Sequence, residues 1–436
     1  MLDPLLYDLP DNLDKEKYII ATYYVAGKRN IDALRYSAAI AVEQSTGTWL
    51  PVPAETPELR KKHIAKIVGL YEIPNFSWEV PEDIKERNFV VRIAFPTENF
   101  TVQFAMLLTS VIGNISSGGK LKLLDLELPE SWLNTFKGPK FGVEGIREIL
   151  DVPERPLVNN MIKPCAGLTP EATAQLAYEA AVGGTDIIKD DELIADAVYS
   201  PLEVRVKKVM EALKRADEEK GEKTLYAVNI TDRVDKIKEN AYRCLEAGAN
   251  CLMINYLTVG LDAVVMLTED PNINVPILGH PDFTGAVYES PWSGVSAELI
   301  KAKLPRIAGL DMGIVLSPYG KFPLIEDKFK QCCLAHLSPL KNIKRSWPMP
   351  GGGTHPGHVE VLMKELGNDI IIAAGGAIHG HPMGAAAGAR AFRQAIDVVM
   401  SGQSLKEARG QFKELDAALE KWGVAGEQKD IFDLKG

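Results

Sequence analysis

From Pro156 onward, short apolar and β-branched runs alternate with longer stretches whose apolar residues recur at helical spacing. Runs of this kind bounded by turn residues read as buried strands, and the 3.6-residue periodicity between them reads as amphipathic helix. The first five strand-like runs span residues 157–163, 185–189, 224–231, 250–257 and 275–280; the last three span 313–317, 343–349 and 369–374. Helical patterns fill the gaps, as at 170–182, where Thr169 is a good N-cap, Pro170 suits the first turn and Gly183-Gly184 ends it. Residues 201–220, 232–246 and 386–401 read similarly. Eight consecutive βα units predict an α/β fold, a (β/α)8 TIM barrel, whose sites lie at the C-terminal ends of the strands. A doubly wound open sheet is the structural rival.

Upstream, strand-like runs (18–24, 88–94, 120–126) mix with helical ones (31–43, 57–68, 103–111), which predicts an α+β N-terminal domain. The expected division is therefore 1–138 for this domain, 139–403 for the barrel and 404–436 for a C-terminal helical tail packing back on it.

Composition narrows the class. Of 436 residues, 46% are hydrophobic and 25% charged, which is ordinary globular usage and excludes disordered or collagen-like chains. The net charge of -10, with no long basic block, argues against a nucleic-acid partner. No apolar run reaches the length of a membrane span and no signal-like segment opens the chain, so a cytoplasmic protein without membrane association is expected. Five cysteines, an odd number without a CxxC pair, read as reduced thiols.

On the barrel frame, the unusual polar residues fall at strand ends. Strand one ends in Lys163, strand two in Lys189-Asp190-Asp191-Glu192, strand five in His280, and strand six in a loop carrying Lys321. Strands seven and eight end in Gly351-Gly352-Gly353-Thr354-His355 and Gly375-Gly376. Glycine-rich turns after the last two strands of a barrel suit a phosphate, because bare backbone N–H groups can cradle an anion; the plainer reading is tight βα turns. Lys189 is either an ion-pair partner of its acidic neighbours or, as a CO2 carbamate, a third oxygen ligand beside Asp191 and Glu192 for an octahedral Mg2+.

Residues 185–192, Thr-Asp-Ile-Ile-Lys-Asp-Asp-Glu, resemble the activation motif of the RuBisCO large subunit, and the resemblance extends over nearly the whole chain. Glu43 to Trp49 is similar to that family's N-terminal motif, Gly113-Asn114 to its metal-approaching asparagine, and Ile162-Lys163-Pro164, Gly352-Gly353 and 375–382 to further motifs. The resemblance implies the RuBisCO large-subunit fold, Mg2+ held by carbamylated Lys189 with Asp191 and Glu192, and a phosphorylated small-molecule substrate. It implies Lys163 in proton transfer, Lys321 on a mobile loop holding a carboxylate, His280 among the catalytic groups, and Thr48, Trp49, Gly352, Gly353, Gly375 and Gly376 around a phosphate. It also implies a homodimer or a multiple of it, in which Glu43, Thr48, Trp49 and Asn114 complete a partner's barrel.

Departures from the family pattern choose the branch. Cys165 stands where the carboxylase has a second lysine, Pro281 where it has a phosphate-clamping arginine, and Gly351 where it has a serine. Losing a bidentate clamp is not a conservative change, so the chain resembles the non-carboxylating RuBisCO-like proteins. Residues 138–143, 225–229 and 316–320 are similar to the methionine-salvage enolase acting on a diketo-methylthiopentyl phosphate, yet that enolase carries its catalytic lysine where Asn114 stands here and lacks Lys321. The reading that follows is decarboxylation of a β-keto acid monophosphate; the alternatives are an enolase or isomerase of a keto-phosphate and a non-catalytic scaffold. His355 and His358 read as a helix cap, and His379 and His381 as scaffold.

Overall fold

The computed structural model describes residues 3–48, 50, 52–322 and 324–425. The chain folds into two compact units, Met1–Phe136 with Phe283–Ile300, and Lys137–Asp282 with Lys301–Gly436.

The first unit is built on a five-stranded sheet of β1 (Tyr18–Lys28), β2 (Lys66–Glu72), β3 (Glu86–Pro96), β4 (Leu121–Glu127) and the short strand Gly294–Val295. Its order is Gly294–Val295, β4, β1, β3, β2; β1 runs antiparallel to β3 and β4, and β2 antiparallel to β3. Alternate residues of β3 (Phe89, Val91, Ile93, Phe95) are buried, the period-2 pattern of a strand with one face on a core. Helix Ala33–Glu43 starts where the Asp32 carboxylate accepts the Arg35 N–H and buries Ser37, Ile40 and Ala41. The helix expected over 57–68 stops at His63, and strand β2 begins at Lys66. Thr56 caps its start, but Ile64, Ile67 and Val68 are β-branched and pack better on a pleated sheet than along a helix.

In the second unit the eight barrel strands are β5 (Leu157–Met161), β6 (Ile187–Lys189), β7 (Leu225–Asn229), β8 (Cys251–Asn255), β9 (Ile277–His280), β10 (Met312–Leu316), β11 (Trp347–Gly351) and β12 (Ile371–Ala374). They form one sheet in the order β11-β10-β9-β8-β7-β6-β5-β12, parallel throughout, a nearly closed barrel. Each expected strand is present. Leu157, Ile187, Met253, Leu278, Trp347 and Ile371 belong to one buried cluster filling the interior. The outer helices pack closely: a Cβ on Gly183 would stand 2.3 Å from the Ala386 carbonyl oxygen, so only glycine lets helix Pro170–Val182 end against helix Ala385–Met400. At the opposite end from the site, buried Asp311 accepts the N–H groups of Phe141 (2.8 Å), Gly142 (2.8 Å) and Ile277 (2.9 Å), joining β9 and β10 to the segment that leads into the barrel. Of the expected tail, Lys413–Trp422 is helical, 405–411 forms turns, and 426–436 lie outside the described residues. Among the described residues no helix is long and apolar enough to cross a membrane.

Candidate active site at the C-terminal end of the barrel

Strand β6 is only three residues long, and beyond it the chain is fixed by side chains as well as by the Asp190 N–H, which donates to the Ala227 carbonyl of β7 (3.1 Å). Asp190 is the anchor. Its Oδ2 accepts from Arg205 Nε (3.3 Å) and Nη2 (3.1 Å) and from the Asn229 N–H (3.1 Å), and its Oδ1 accepts from the Tyr226 hydroxyl (2.6 Å). Arg205 and Asp190 are 0% and 2% exposed. Burial weakens the Arg205 guanidinium's hold on its proton, but the Asp190 charge more than offsets this and raises its pKa above the usual value. With its acceptors filled, Asp190 is structural, and its work is to aim Lys189, Asp191 and Glu192 into the mouth of the barrel.

Lys189 is wholly buried, and its Nζ donates to the Asp190 carbonyl (2.7 Å) and to Glu192 Oε2 (3.1 Å). Asp191 Oδ2 accepts from Lys163 Nζ at 2.5 Å, and Lys163 Nζ also lies 3.0 Å from Cys165 Sγ. Lys163 is partly buried; burial lowers its pKa, yet the bonds to Asp191 and Cys165 win and raise it, so the amine is held as an ammonium. Cys165 is thus a direct neighbour of Lys163.

Glu192 is gripped from three sides. Asn229 and Asn255 each donate to its carbonyl oxygen at 3.2 Å, Lys189 holds one carboxylate oxygen, and His280 Nε2 lies 3.2 Å from that same oxygen. Burial pushes the carboxyl pKa up, but the charges of Lys189 and His280 more than reverse this and hold it at about 2. On the other side of the ring, His280 Nδ1 lies 3.0 Å from Asp282 Oδ2. Among the described residues Glu192, His280 and Asp282 are a group whose donor atoms lie within 4.8 Å of one another.

The glycine turns join this cluster through the backbone. A Cβ on Gly375 would stand 3.1 Å from Lys163 Cε, whereas one on Gly376 would meet nothing within 4 Å, so the turn after β12 rests on Lys163 and opens into free space. Lys321 N–H donates to the Gly352 carbonyl (2.7 Å), and a Cβ on Gly353, at φ +109°, would stand 2.9 Å from that nitrogen; the turn after β11 thus carries the loop after β10. The Lys321 side chain itself is exposed, with Nζ 5.3 Å from the centre of the Phe322 ring, so its ammonium rests on its own neighbour. His355 accepts the Gly357 N–H and His358 the His355 N–H, a helix cap. His381 bonds the Glu414 carbonyl (3.0 Å), and burial lowers His379 to about 4.

In the first unit, Asn114 Nδ2 donates to Glu43 Oε1 at 3.1 Å, and both residues are exposed. Thr48 Oγ1 donates to Glu55 Oε2 at 2.8 Å. A groove of about 570 Å³ lies here, lined by Arg35, Tyr36, Glu43, Thr48 and Ile115 among others. Trp49 lies outside the described residues.

The strand-end cluster therefore unites Lys163, Lys189, Asp191, Glu192, His280 and Gly375, and leaves the Lys321 ammonium apart. Asp282, Asn229, Asn255 and Arg205 join the site without being singled out by the sequence; only Asp282, two residues beyond His280 in the same loop, offers a local signal. The donor set suits Mg2+: the carboxylates of Asp191 and Glu192 each face a lysine ammonium, so both are oriented to bind positive charge, and Lys189 is in contact with the second of them.

Residues 8–132 match the N-terminal domain of the ribulose bisphosphate carboxylase large chain, and residues 142–322 and 324–422 match its catalytic domain. A ribulose bisphosphate carboxylase-like protein of Archaeoglobus fulgidus is 53% identical over 394 residues, 90% of each chain. A 2,3-diketo-5-methylthiopentyl-1-phosphate enolase of Geobacillus thermodenitrificans is 39% identical over 93% of this chain and 98% of its own. The crystal structure of a rubisco-like protein from Alicyclobacillus acidocaldarius superposes with a TM-score of 0.85 at 37% identity, covering 93% of this chain and all of the other. Two matched domains in order, across an eight-stranded barrel and its preceding sheet, leave one assignment: this chain belongs to the ribulose bisphosphate carboxylase large-chain family, among its RuBisCO-like members.

Proposed function

We propose that the protein releases CO2 from a β-keto acid monophosphate. The observation that carries this reading is the bond from Lys163 to Asp191, which keeps the amine protonated. Decarboxylation needs no base. The bond to the departing carboxylate breaks, its electron pair passes into an enediolate, and a proton donor must then reach the carbon. Lys163 in its ammonium form is that donor, and solvent restores its proton.

Lys189 as a carbamate, Asp191 and Glu192 would hold Mg2+. Bound there, the ion supplies positive charge to the developing enediolate oxygen. The Gly352-Gly353 and Gly375-Gly376 turns bind the phosphate through backbone N–H groups. Lys321 holds the substrate carboxylate once the loop brings its ammonium off Phe322, and His280 fixes the Glu192 side of the pocket. Glu43, Thr48, Trp49 and Asn114 of a second copy complete the site, so a homodimer is the active form; the exposed Glu43–Asn114 pair supports this.

A second reading rests on the relatives named as enolases. In that reading Lys163 acts unprotonated, as the base that enolises a keto-phosphate. Incubation with Mg2+, bicarbonate and a panel of keto-phosphates and β-keto acid phosphates in D2O separates the two. CO2 release with deuterium at the adjacent carbon supports decarboxylation. Deuterium uptake without CO2 supports the enolase, and neither across the panel leaves a non-catalytic scaffold.

A further inference from the structure

We infer that the stretch 421–425, at the end of helix Lys413–Trp422, is a clasp across the seam of the barrel that holds the two glycine turns in place, with Trp422 as a positioning residue for the phosphate they bind. This rests on the reading above in one respect, that the turns bind phosphate.

The need for a clasp comes from the strand order. The turns follow β11 and β12, which stand at the two ends of the eight-strand order, so no ladder among the described residues joins them. Backbone N–H groups bind one anion together only when they converge on it, and here sheet pairing does not fix the two turns relative to each other. Trp422 reaches both. It is 8% exposed, its ring centre lies 6.1 Å from that of His355, nearly parallel at 19°, and 6.2 Å from that of His381, at 50°. His355 lies two residues beyond Gly353 in the chain leaving β11; His381 lies two residues beyond the short helix Gly376–His379 that opens after β12.

The neighbours of Trp422 repeat the pattern. Lys421 Nζ donates to the Gly380 carbonyl (2.6 Å), and the Gly380 N–H returns to the Gly376 carbonyl (2.8 Å). On the other side, the Ala425 N–H donates to the Gly357 carbonyl (3.0 Å), and a Cβ on Gly357 would stand 2.0 Å from the Gly423 carbonyl oxygen, an approach only glycine permits. Both imidazoles are tied to their own loops. His355 Nδ1 accepts the Gly357 N–H (3.2 Å); His381 Nδ1 accepts the Met383 N–H (3.1 Å), which leaves its Nε2 to donate to the Glu414 carbonyl (3.0 Å). The clasp has a firm seat as well. On helix Ala385–Met400, Gln394 donates to Glu414 Oε2 (2.9 Å) and accepts the Leu415 N–H (3.0 Å), and Arg390 pairs with Glu414 Oε1 (3.1 Å).

The test is amide hydrogen exchange read by mass spectrometry, with calorimetric binding of a five-carbon polyol 1-phosphate, on the full-length protein with Mg2+ and bicarbonate. In Trp422→Leu, exchange in 351–358 and 375–381 is expected to rise about tenfold or more while β1 and β3 stay unchanged. The probe is expected to bind about fivefold or more weakly. Trp422→Phe, which keeps an aromatic face between the imidazoles, is expected to restore both readouts to within about twofold of the wild type. Gly357→Ala, which displaces Gly423, should reproduce the loss. Lys421→Met alters an exposed side chain and should loosen 375–381 alone, so the clasp can be tested even if Trp422→Leu fails to fold. Faster exchange confined to 413–425, with both turns as in the wild type, overturns the clasp. Looser turns with undiminished probe affinity overturn Trp422 as a positioning residue. Looser turns in a protein whose wild type does not bind the probe sustain the clasp and remove the phosphate reading instead.

Discussion

Replacing Arg205 by Met removes the cation that anchors Asp190 while keeping most of the side-chain volume. Arg205 is fully buried and donates to Asp190 Oδ2, to the Ser200 carbonyl (2.7 Å) and to the Ala195 carbonyl (2.9 Å). Stripping one partner from a buried pair costs about 3–5 kcal/mol, because the remaining charge is uncompensated. Two carbonyls left without donors add about 1 kcal/mol each. The sum, about 5–7 kcal/mol, rivals the whole stability of a typical domain. Asp190→Asn in the same chain removes the orphaned charge, its amide oxygen keeping the Asn229 N–H while its amide nitrogen donates to the Tyr226 hydroxyl oxygen in place of the present bond, so the double variant should regain about 2 kcal/mol or more over Arg205→Met alone. The assay is urea unfolding followed by tryptophan fluorescence and circular dichroism, with the two units fitted as separate transitions, since a two-unit chain need not unfold in one step. A cost under about 1 kcal/mol for Arg205→Met, or a double variant no more stable than the single, refutes the reasoning that Asp190 is a buried anion held by Arg205.

Further outcomes follow from the same structure. Burial lifts Asp311 from 3.8 to about 6 against its three backbone N–H bonds. The folded state then holds this proton more tightly than the unfolded one, so stability declines as pH rises between those values, by about 3 kcal/mol in total. Comparing urea midpoints of the wild type and Asp311→Asn across that window measures it, and identical slopes contradict it. Glu192, held at about 2 against an ordinary 4.5, acts in the opposite sense: its stabilisation is full above the ordinary value and is lost as pH falls toward 2. Glu192→Gln should therefore show a flatter loss of stability in acid. Lys163→Met should reduce turnover of any processed keto-phosphate by about 10²-fold or more while the fold melts as before; retention of rate would remove Lys163 from proton transfer. Gly353→Ala, at φ +109° and 2.9 Å from the Lys321 nitrogen, should detach the Lys321 loop and raise its proteolytic sensitivity, which limited digestion reads directly.

The barrel was legible because its strands are continuous β-rich runs between turn residues, and the strand ends could be marked before any tertiary packing was known. Strand β2 was not: Ile64, Ile67 and Val68 follow a well-capped helix start, and only pairing with β3 shows where the helix stops. Among the site residues, Lys189, Asp191 and Glu192 announced themselves by adjacency. The partner of Lys163 did not, because the bond to Asp191 spans 28 positions of sequence. Asp190 looked like its two neighbours, and only Arg205, Tyr226 and Asn229 reveal that it is structural. Asp282 is one ordinary acid in a loop; only its distance to His280, which a sequence does not display, ties it to the site.

On the proposed reading Lys189, Asp191 and Glu192 form a CO2-dependent Mg2+ site. The direct measurement is carbon-13 NMR of the protein equilibrated with labelled bicarbonate and Mg2+. One carbamate per chain, strengthened by Mg2+ and absent from Lys189→Ala, is the predicted result. No carbamate signal, or one that persists in Lys189→Ala, would contradict it.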